Sequence, residues 1–478
     1  MAESHEAIRF AESVMESDPE QAHAILCGVL DDEPDNPLAL FCLGHLYVQR
    51  QSYGAAYSLF KRVVQLAPHR EQAWNNLGMC LDSFERFKEA RECFEQALKR
   101  SPNNPDYLGN LSLTHLEEQH YRKAVELSGK ALAIKPDHPG AGAINGFASL
   151  ALGDWPTGWR GYEMALGGKY RKEYSYGSEP RWDGSPGKRI VVYGEQGLGD
   201  EIMAASMLPD AAKDCAEVVV DCDSRLEGLF RRSFPNLHVY GTRRQEQVDW
   251  LAVHKPDARA AAMSLGQFYR TTDSSFPAKP YLVADPERRL QWRALFDSWG
   301  PKRKIGLCWT GGIPSTGAKR RNMGLEALRP LIESVDADFV SLQYKDPTDE
   351  IEASGLPVRH YKRACETQDY DDTAAMVAEL DLVLGVSTTV HHLADALGVQ
   401  SIVFVPLRPT WLYARDVVPF HQSWKLFRQR DGETWAKTIA RFMRSDVMGL
   451  VHGTDDVQRI EIDPDRLGAQ VEHSVGHG

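Results

Sequence analysis

The residues most able to do chemistry lie in one stretch, GVSTTVHHLADALG, at positions 385–398. It follows an apolar run at 380–384, which predicts a buried strand, and it continues with apolar residues at helical spacing. A hydroxyl-rich turn between a strand and a helix start exposes unpaired N–H groups and the positive end of the helix dipole. This chemistry suits a phosphate or a diphosphate. The alternative is that the hydroxyl side chains at 387–389 only cap the helix.

Composition limits the kinds of partner that the chain can have. The chain has 478 residues, 42% of them hydrophobic and 26% charged, which predicts two or three globular domains. A formal net charge of -12 argues against nucleic acid or an anionic membrane as the main partner. Neither a signal peptide nor an apolar run long enough to span a membrane is visible, and the eight cysteines form no CxxC pair. We therefore expect a cytoplasmic protein with free thiols and no zinc site.

The N-terminal third has a period of 34 residues. Prolines recur at 34, 68, 102 and 136, and small residues recur at 44, 78, 112 and 146. This period, with LGxxY-like text at 43–47, resembles the tetratricopeptide repeat. We predict a repeat array over 1–166, with clear repeats at about 37–70, 71–104 and 105–138, a degenerate repeat before them and a partial one at 139–166.

Such an array predicts a concave groove that holds a peptide or a protein. Two alternatives stay open, namely that the array dimerises the chain or supports the domain that follows it. We predict a connector at 167–188, and aromatic residues in it and in the preceding stretch 154–162 are expected to attach the array to the next domain. The aromatic residues concerned are Trp159, Tyr162, Tyr170, Tyr174, Tyr176 and Trp182.

Two α/β halves are predicted after the connector, at 189–285 and 286–430. Strand-like runs alternate with helical ones, which is typical of parallel sheets with ligand loops at the strand ends. The strands expected in the first half are 189–193, 217–221, 237–240 and 249–253, and those in the second are 304–309, 338–343, 357–361, 380–384, 402–405 and 424–427. A final helix at 431–446 is expected to cross back to the first half, and a tail at 447–478 has no pattern that indicates chemistry. The glycines at 194–199 fit neither a dinucleotide motif nor a P-loop.

Several segments in order resemble one enzyme family. They are VYGEQGLGD at 192–200, GLCWTGG at 306–312, SLQ at 341–343, DYDDTAA at 369–375 and the block at 380–398. Together they are similar to the heptosyltransferase-like glycosyltransferases, above all to those of bacterial proteins that also carry tetratricopeptide repeats. The resemblance covers about residues 155–445 and implies a GT-B fold of two Rossmann-like halves. The plan is also similar to that of O-GlcNAc transferase, with its Thr-Thr pair at the phosphate site.

The function that this resemblance implies is transfer of a sugar from a nucleotide-sugar donor to a protein hydroxyl. The family usually inverts the anomeric centre and needs no metal or cofactor. The first half would bind the acceptor and the second half the donor, while the repeats would present a protein acceptor such as flagellin or another surface protein. Two alternatives remain. The acceptor could be a lipid-linked or polysaccharide glycan, or the chain could be a scaffold with a catalytically weak transferase fold.

The resemblance also implies a set of donor-binding residues. Those expected at the phosphates are Thr310, Gly311, Lys319, Arg321, Ser387, Thr388, Thr389, Val390 and His392, and those expected at the nucleoside are Gln343 and Tyr344. Each has a simpler interpretation, since the threonines could only cap a helix, His392 could only pack, and the basic residues could form a solvated loop. Ser387 stands where the family has an aspartate, which puts the identity of the donor in doubt, and His391 stands where the family has a small residue.

Two acidic residues are candidates for the general base that removes the proton of the acceptor hydroxyl. Asp200 is the first, because related transferases have an acid at this point of their first loop. Glu195 is the alternative. Asp200 could instead cap a helix that begins at Glu201, and both roles could hold in part.

Overall fold

The structure of the protein is a computed structural model that describes residues 2–168, 171–243, 245, 247–276, 279–312, 317–366, 369–421 and 423–454. The chain forms two compact units, Met1–Ala165 and Leu166–Gly478. We describe each unit by itself.

The first unit is a helical repeat solenoid, as the 34-residue period predicts. Within the described residues 2–165 ten helices follow one another: α1 (Ala2–Val14), α2 (Pro19–Asp32), α3 (Pro37–Gln49), α4 (Tyr53–Leu66), α5 (Glu71–Ser83), α6 (Phe87–Arg100), α7 (Pro105–Glu117), α8 (Tyr121–Ile134), α9 (Pro139–Leu152) and α10 (Trp155–Glu163). The side chain of Asn36 accepts hydrogen bonds from two N–H groups at the start of α3, and Asn104 does the same for α7. Asparagine caps followed by proline start these repeats at a fixed residue.

The repeat register places a small residue against a large one inside each helix pair. A side-chain carbon built on Gly44 would lie 2.9 Å from the ring of Phe60, and one built on Gly78 would lie 2.7 Å from the ring of Phe94. The glycines therefore let the two helices approach closely, and the rings fill the seam between them. In the third repeat both positions are serine, at 112 and 128, and both serines are fully buried.

The aromatic residues around the predicted connector belong to separate units. Trp159 and Tyr162 are buried on α10, and their ring centroids lie 5.7 Å apart. Trp182 instead packs on Phe268 with the ring centroids 4.7 Å apart, and its main-chain N–H donates to the carbonyl of Arg259. The described residues 171–188 thus form part of the α/β unit and are not an independent connector, while Tyr170 lies outside the described residues.

The first half of the α/β unit has a parallel sheet in the order β3-β2-β1-β4 among the described strands. Its elements are β1 (Arg189–Tyr193), α11 (Leu198–Ala205), α12 (Leu208–Asp214), β2 (Glu217–Asp221), α13 (Glu227–Ser233), β3 (His238–Tyr240), α14 (Leu251–His254), β4 (Ala258–Ala261) and α15 (Gly266–Tyr269). The strand predicted at 249–253 is wrong, because Trp250 begins a helical turn and the fourth strand comes after it.

The second half has a larger parallel sheet in the order β10-β9-β8-β5-β6-β7. Its elements are α16 (Pro286–Asp297), β5 (Arg303–Cys308), α17 (Arg329–Ser334), β6 (Ala337–Ser341), α18 (Thr348–Ser354), β7 (Val358–His360), α19 (Lys362–Cys365), α20 (Tyr370–Ala378), β8 (Leu382–Val386), α21 (Thr389–Ala396), β9 (Ser401–Val405), β10 (Trp424–Arg428), α22 (Trp435–Phe442) and α23 (Met448–His452). Strands buried on both faces explain why these segments are continuous apolar runs in the sequence.

The last two helices complete the core of the second half. Ile439 and Phe442 of α22 pack with Ile305 and Leu384 of the central strands, and Val451 of α23 joins the same cluster. The prediction that the final helix crosses back to the first half is therefore corrected, since its apolar face covers the second sheet. The part of the predicted tail at 455–478 lies outside the described residues.

The described helices include no candidate for a membrane span. Among the described residues, none of the helices combines the length and the apolar content that crossing a bilayer requires.

The glycine positions of the array give a stability prediction. Gly78→Ala should lower the free energy of unfolding by about 1–3 kcal/mol, because its new carbon overlaps the buried Phe94 ring. Gly54→Ala is the matched control, since Gly54 lies exposed in α4 with no atom within 4 Å of the added carbon. The control should raise stability by up to about 1 kcal/mol through helix propensity. Equal effects of the two changes in denaturant unfolding would contradict the seam described here.

Candidate functional site

The loops that follow the strand ends converge on one region of the α/β unit. In parallel sheets these carboxyl-end loops share an edge, which is where ligands bind. Four loops contribute, namely the one after β1 with Asp200, the one after β5 with Gly311 and Arg321, the one after β8 with Thr388, and the one after β9 with Tyr413. A carbon built on Gly199 would lie 3.4 Å from Thr389 Oγ1 and 3.0 Å from His392 Cδ2, so the two halves touch here.

The start of α21 is built around Thr388. Thr388 is the residue before the first turn, yet its hydroxyl makes no capping hydrogen bond and instead contacts Cys308 Sγ at 3.5 Å. The Thr388 side chain therefore does not cap the helix, contrary to the simpler interpretation. A side chain at Gly311 would clash with Thr388, so the loop after β5 lies directly on this turn.

Arg321 is carried to the same turn by its own loop. Thr310 and Asn322 form an antiparallel bridge, and the N–H of Gly311 donates to the carbonyl of Arg321 at 3.0 Å. This pairing folds the loop back, and Arg321 Nη1 then donates to the Ser387 carbonyl at 3.2 Å. Lys319 lies exposed on the same short helical turn, Ala318–Arg321. Residues 313–316 of this loop lie outside the described part of the chain.

The two predicted nucleoside residues have different surroundings. The buried side-chain amide of Gln343 lies against the main chain of Thr310, with its nitrogen 3.1 Å from the carbonyl oxygen and its oxygen 3.1 Å from the N–H. It therefore holds the loop in place. Tyr344 is 48% exposed and its hydroxyl donates to the Gly312 carbonyl at 3.1 Å. Of the two residues, only Tyr344 exposes its ring to solvent. Tyr344 rather than Gln343 is therefore the candidate for the predicted contact with the nucleobase.

Both carboxylates predicted as the general base already have partners. The helix begins at Leu198 and not at Glu201, so Asp200 lies in its first turn and accepts a hydrogen bond from the Gly197 N–H at 3.1 Å. Burial raises the pKa of the Asp200 carboxyl, and this N–H and Arg321 oppose that effect. Glu195 is buried and pairs with Arg171 Nη2 at 2.9 Å, which makes it a structural ion pair.

Tyr413 is a site residue that the sequence analysis missed. It lies in the short turn Trp411–Tyr413 and is buried, with its ring stacked on Trp424 at 5.5 Å and 6°. Burial raises the pKa of the Tyr413 hydroxyl, and the charge of Arg321 opposes this rise. Arg321 thus acts on Tyr413 and on Asp200 together, as the cation at the centre of the four loops.

Three polar side chains form a hydrogen-bonded chain at α21: His392 and His421 are buried, and Asp395 is partly buried. His392 Nδ1 is 2.8 Å from His421 Nε2, and His421 Nδ1 is 2.9 Å from Asp395 Oδ2. The other carboxylate oxygen of Asp395 accepts hydrogen bonds from the N–H and the hydroxyl of Ser423 at 3.0 and 2.6 Å. Asp395 lies within the stretch at 385–398, but nothing in that stretch indicates its partner, because His421 comes 26 residues later in the chain.

His391 faces away from this chain and into the core. It is fully buried, its Nε2 lies 3.4 Å from Cys308 Sγ, and its carbonyl accepts a hydrogen bond from the Trp424 indole at 3.1 Å. Burial lowers the pKa of the His391 imidazole to about 3. A large residue at this position is thus accommodated as a neutral packing histidine.

Groups of side chains with metal-binding chemistry occur elsewhere in the described residues. They are Glu217, His238 and His254; Asp346, His360 and Glu366; and His115, Glu118 and His120. Each group is already held together by direct contacts, such as the one between Glu217 Oε1 and His254 Nδ1 at 2.5 Å. None of the three groups includes a residue of the four-loop site.

Comparison with known proteins identifies the repeats. Residues 31–141 match the family described as the Tetratricopeptide repeat protein 21 C-terminal ARM domain. Protein FlbA of Caulobacter vibrioides is 27% identical over 412 residues, which cover 81% of this chain and 68% of FlbA. The tetratricopeptide repeat-containing protein trd-1 of Caenorhabditis elegans is 27% identical over 26% of this chain. The BBSome complex member BBS4 homolog of Drosophila melanogaster is 24% identical over 31%. The chain spans only 16% and 31% of these last two proteins.

Two solved structures that match this chain each cover about a third of it. The crystal structure of MamA shares 22% identity with a TM-score of 0.30, covering 32% of this chain and 90% of MamA. YrrB, described as a TPR protein with an unusual peptide-binding site, shares 18% identity with a TM-score of 0.30, covering 33% of this chain and 82% of YrrB. At these values the structural matches add nothing to the family match.

The buried histidine gives a pH prediction. The unfolded chain binds a proton at His391 below its ordinary pKa near 6.5, whereas the folded protein does so only near 3. Stability is therefore lost as pH falls through this window, and His391 alone should cost about 2 kcal/mol between pH 7.5 and pH 5. His391→Ala should remove that part of the loss in denaturant unfolding measured at both pH values.

The control for this prediction is Cys308→Ala, which removes buried atoms beside His391 but keeps the imidazole. It should lower stability at both pH values and leave the pH-dependent loss in place. An unchanged loss in His391→Ala would show that other groups cause the acid sensitivity.

Proposed function

We propose that the chain binds a protein on its repeat array and uses the α/β unit to transfer a sugar from a nucleotide-sugar donor to a hydroxyl of that protein. The first part follows from the tetratricopeptide-type repeats. The second part, sugar transfer, is more specific. The observation that supports it is the contact of Arg321 with the start of α21, at the edge of the sheet that faces the first half.

Protein binding by the array is supported by its relatives and by its polar side chains. Relatives of the repeats include proteins named as BBSome complex members and a peroxisomal targeting signal receptor, which act with other proteins. On α5 and α7 the side-chain amides of Asn75 and Asn110 meet at 2.8 Å. Amides on successive repeats are able to exchange hydrogen bonds with an extended peptide backbone. The match to FlbA also extends beyond the array into the α/β unit, because it covers 412 residues.

Diphosphate binding is supported by the charge and geometry of the four-loop site. The start of α21 offers N–H groups and the positive end of the helix dipole. Arg321 adds a guanidinium, Lys319 adds an exposed ammonium, and Thr388 and Thr389 add hydroxyl groups at the same turn. These groups concentrate positive charge locally in a chain whose net charge is -12. We propose that the donor phosphates bind here and that the nucleobase lies over the Tyr344 ring, in the arrangement of a GT-B enzyme.

The proposed reaction uses this charge to stabilise the leaving group. As the bond between the anomeric carbon and the phosphate oxygen breaks, negative charge grows on the nucleoside diphosphate. Arg321 and the N–H groups of α21 would hold that charge without moving. The acceptor hydroxyl would attack the opposite face of the sugar from the side of the first half, which inverts the anomeric centre.

A binding protein without turnover is the second candidate. It is favoured by the engagement of both predicted bases, since Glu195 pairs with Arg171 and Asp200 holds the Gly197 N–H. Ser387 in place of the family aspartate also favours a protein without turnover. In this case the repeats carry the function, and the four-loop site holds a nucleotide as a structural ligand or holds none.

The phosphate site is tested by changing both threonines. Thr388→Ala with Thr389→Ala should weaken nucleoside diphosphate binding at least about tenfold, because hydrogen bonds to a charged group are worth about 1.5–3 kcal/mol each. Isothermal titration with a panel of nucleoside diphosphates measures this. The matched control is Thr348→Ala with Thr434→Ala, which removes two threonines at the starts of α18 and α22. Binding that survives in the first variant refutes the site, and a wild type that binds none of the panel favours the scaffold.

The array is tested through its paired amides. Clients that co-purify with the full chain are first identified and then titrated against Asn75→Ala with Asn110→Ala. Client affinity should fall at least about fivefold, on the ordinary worth of about 1 kcal/mol for each lost hydrogen bond. Asn103→Ala is the control, because Asn103 is exposed in the turn between α6 and α7. Unchanged affinity in the double variant would move the client away from this face of α5 and α7.

A further inference from the structure

The hydrogen-bond chain of Asp395, His421 and His392 determines which nitrogen of each histidine carries the proton. A carboxylate accepts hydrogen bonds and cannot donate, so His421 must carry its proton on Nδ1 to pair with Asp395. With a neutral His421 ring, Nε2 is then an acceptor, and His392 donates to it from Nδ1. The proton of His392 is thereby assigned to Nδ1, and its Nε2 carries a lone pair. Each assignment follows from the one before it.

The lone pair of His392 is directed at the place where the two halves meet. A carbon built on Gly199 would lie 3.5 Å from Nε2 of His392 and 3.0 Å from Cδ2. Thr389 Oγ1 lies beside the same point. The edge of the ring that carries Nε2 therefore faces the loop of the first half, next to Asp200, and the edge that carries Nδ1 faces the core.

Packing holds this orientation. His421 is fully buried and stacks on Trp424 at 3.8 Å and 16°. Trp424 in turn stacks on Tyr413, whose hydroxyl lies among the groups of the four-loop site. His392 meets the Trp424 ring edge-on at 5.0 Å. Because the rings pack on one another, His421 and His392 cannot rotate independently to exchange their hydrogen-bond partners.

From this geometry we infer that His392 is the general base of the proposed transfer, with His421 and Asp395 as positioning residues. The inference rests on the proposed function and replaces the role that the sequence assigns to Asp200 or Glu195. It also changes the role of His392, because a lone pair would repel a phosphate oxygen but would accept a hydroxyl proton.

The step balances with the atoms already named. The acceptor hydroxyl gives its proton to His392 Nε2, and its oxygen forms the bond to the anomeric carbon. The bond from that carbon to the phosphate oxygen breaks, and the nucleoside diphosphate leaves with the electron pair. The imidazolium that forms on His392 is stabilised through His421 by the negative charge of Asp395, as in other carboxylate–histidine pairs.

The charges around His392 are consistent with this role. Burial lowers the pKa of His392 well below its ordinary value, and His421, His391 and Arg321 lower it further. The ring is therefore neutral before the reaction, and its affinity for a proton has to come from the carboxylate of Asp395. The carboxylate of Asp395, three residues along the chain, compensates for that proton only through His421.

The decisive variant is Asp395→Asn, which should reverse the direction of both hydrogen bonds in the chain, from residue 395 to His421 and from His421 to His392. The asparagine oxygen keeps the bonds from Ser423, so its NH₂ group faces His421 Nδ1 as a donor. His421 then carries its proton on Nε2 and donates to His392, whose Nε2 becomes the protonated nitrogen. We expect kcat for donor turnover to fall about 10²- to 10⁴-fold, the usual contribution of a general base, with donor Kd unchanged. The ¹⁵N shift of His392 Nε2 should move from that of a bare nitrogen to that of an N–H.

Three further variants separate the possible outcomes. His392→Gln should lose turnover to the same extent as Asp395→Asn, while Asp200→Asn should keep more of it, because its carboxylate only holds the Gly197 N–H. His254→Gln is the control for loss of a buried histidine, since it lies on α14 and pairs with Glu217. It should keep the wild-type rate.

The results that overturn the inference differ from those that overturn the proposed function. Full turnover in His392→Gln, or a wild-type ¹⁵N spectrum with the proton on His392 Nε2, removes His392 as the base while the transferase stands. Loss of turnover in Asp200→Asn alone returns the role to Asp200. A wild type that turns over none of a panel of nucleotide sugars, with or without its client, removes the proposed transfer and the base together.

Discussion

The site depends on the contact between the ends of two central strands, β5 and β8. Cys308 and Gly385 are paired in the sheet, and a side chain on Gly385 would overlap the carbonyl of Cys308. With no side chain between them, the chain leaves β8 directly over Cys308. The thiol of Cys308 then receives the Thr388 hydroxyl from one side and His391 from the other. This contact decides where α21 begins, and with it the position of every side chain that α21 contributes.

The first half is held to the same helix by main-chain and ionic contacts. The N–H groups of Tyr281 and Leu282 both donate to the carbonyl of Ala396 at 3.0 Å, at the other end of α21. The Tyr281 hydroxyl donates to the carbonyl of Ile202 on α11 at 2.9 Å, which joins α11 to the same segment. A two-pronged ion pair between Arg232 and Asp371 adds a second tie. Gly199 therefore meets His392 at a fixed distance, and the ligand edge of the second sheet faces a defined surface.

Much of this arrangement could be predicted from local sequence, and the failures have physical causes. The 34-residue period and the apolar runs locate the array and nine of the ten described strands, because buried helices and parallel strands leave strong apolar patterns. The segment at 249–253 has the same pattern but buries Trp250 from a helical turn. The start of α11 was missed by three residues because a glycine, Gly197, precedes it in place of a polar cap. Tyr413 and His421 could not be found, since both reach the site through the packing of Trp424, and the partner of Asp395 could not be found because it is His421.

Binding and catalysis place different demands on this fold. In the proposed function Arg321 and the start of α21 would hold a diphosphate, and a scaffold could share these groups with an enzyme. The chain of Asp395, His421 and His392 lies beneath those loops, and burying such groups is costly unless each is paired. A protein that only binds a nucleotide would be as stable with apolar residues there. The physical distinction between the two proposed functions therefore lies in this buried chain and not in the phosphate loop.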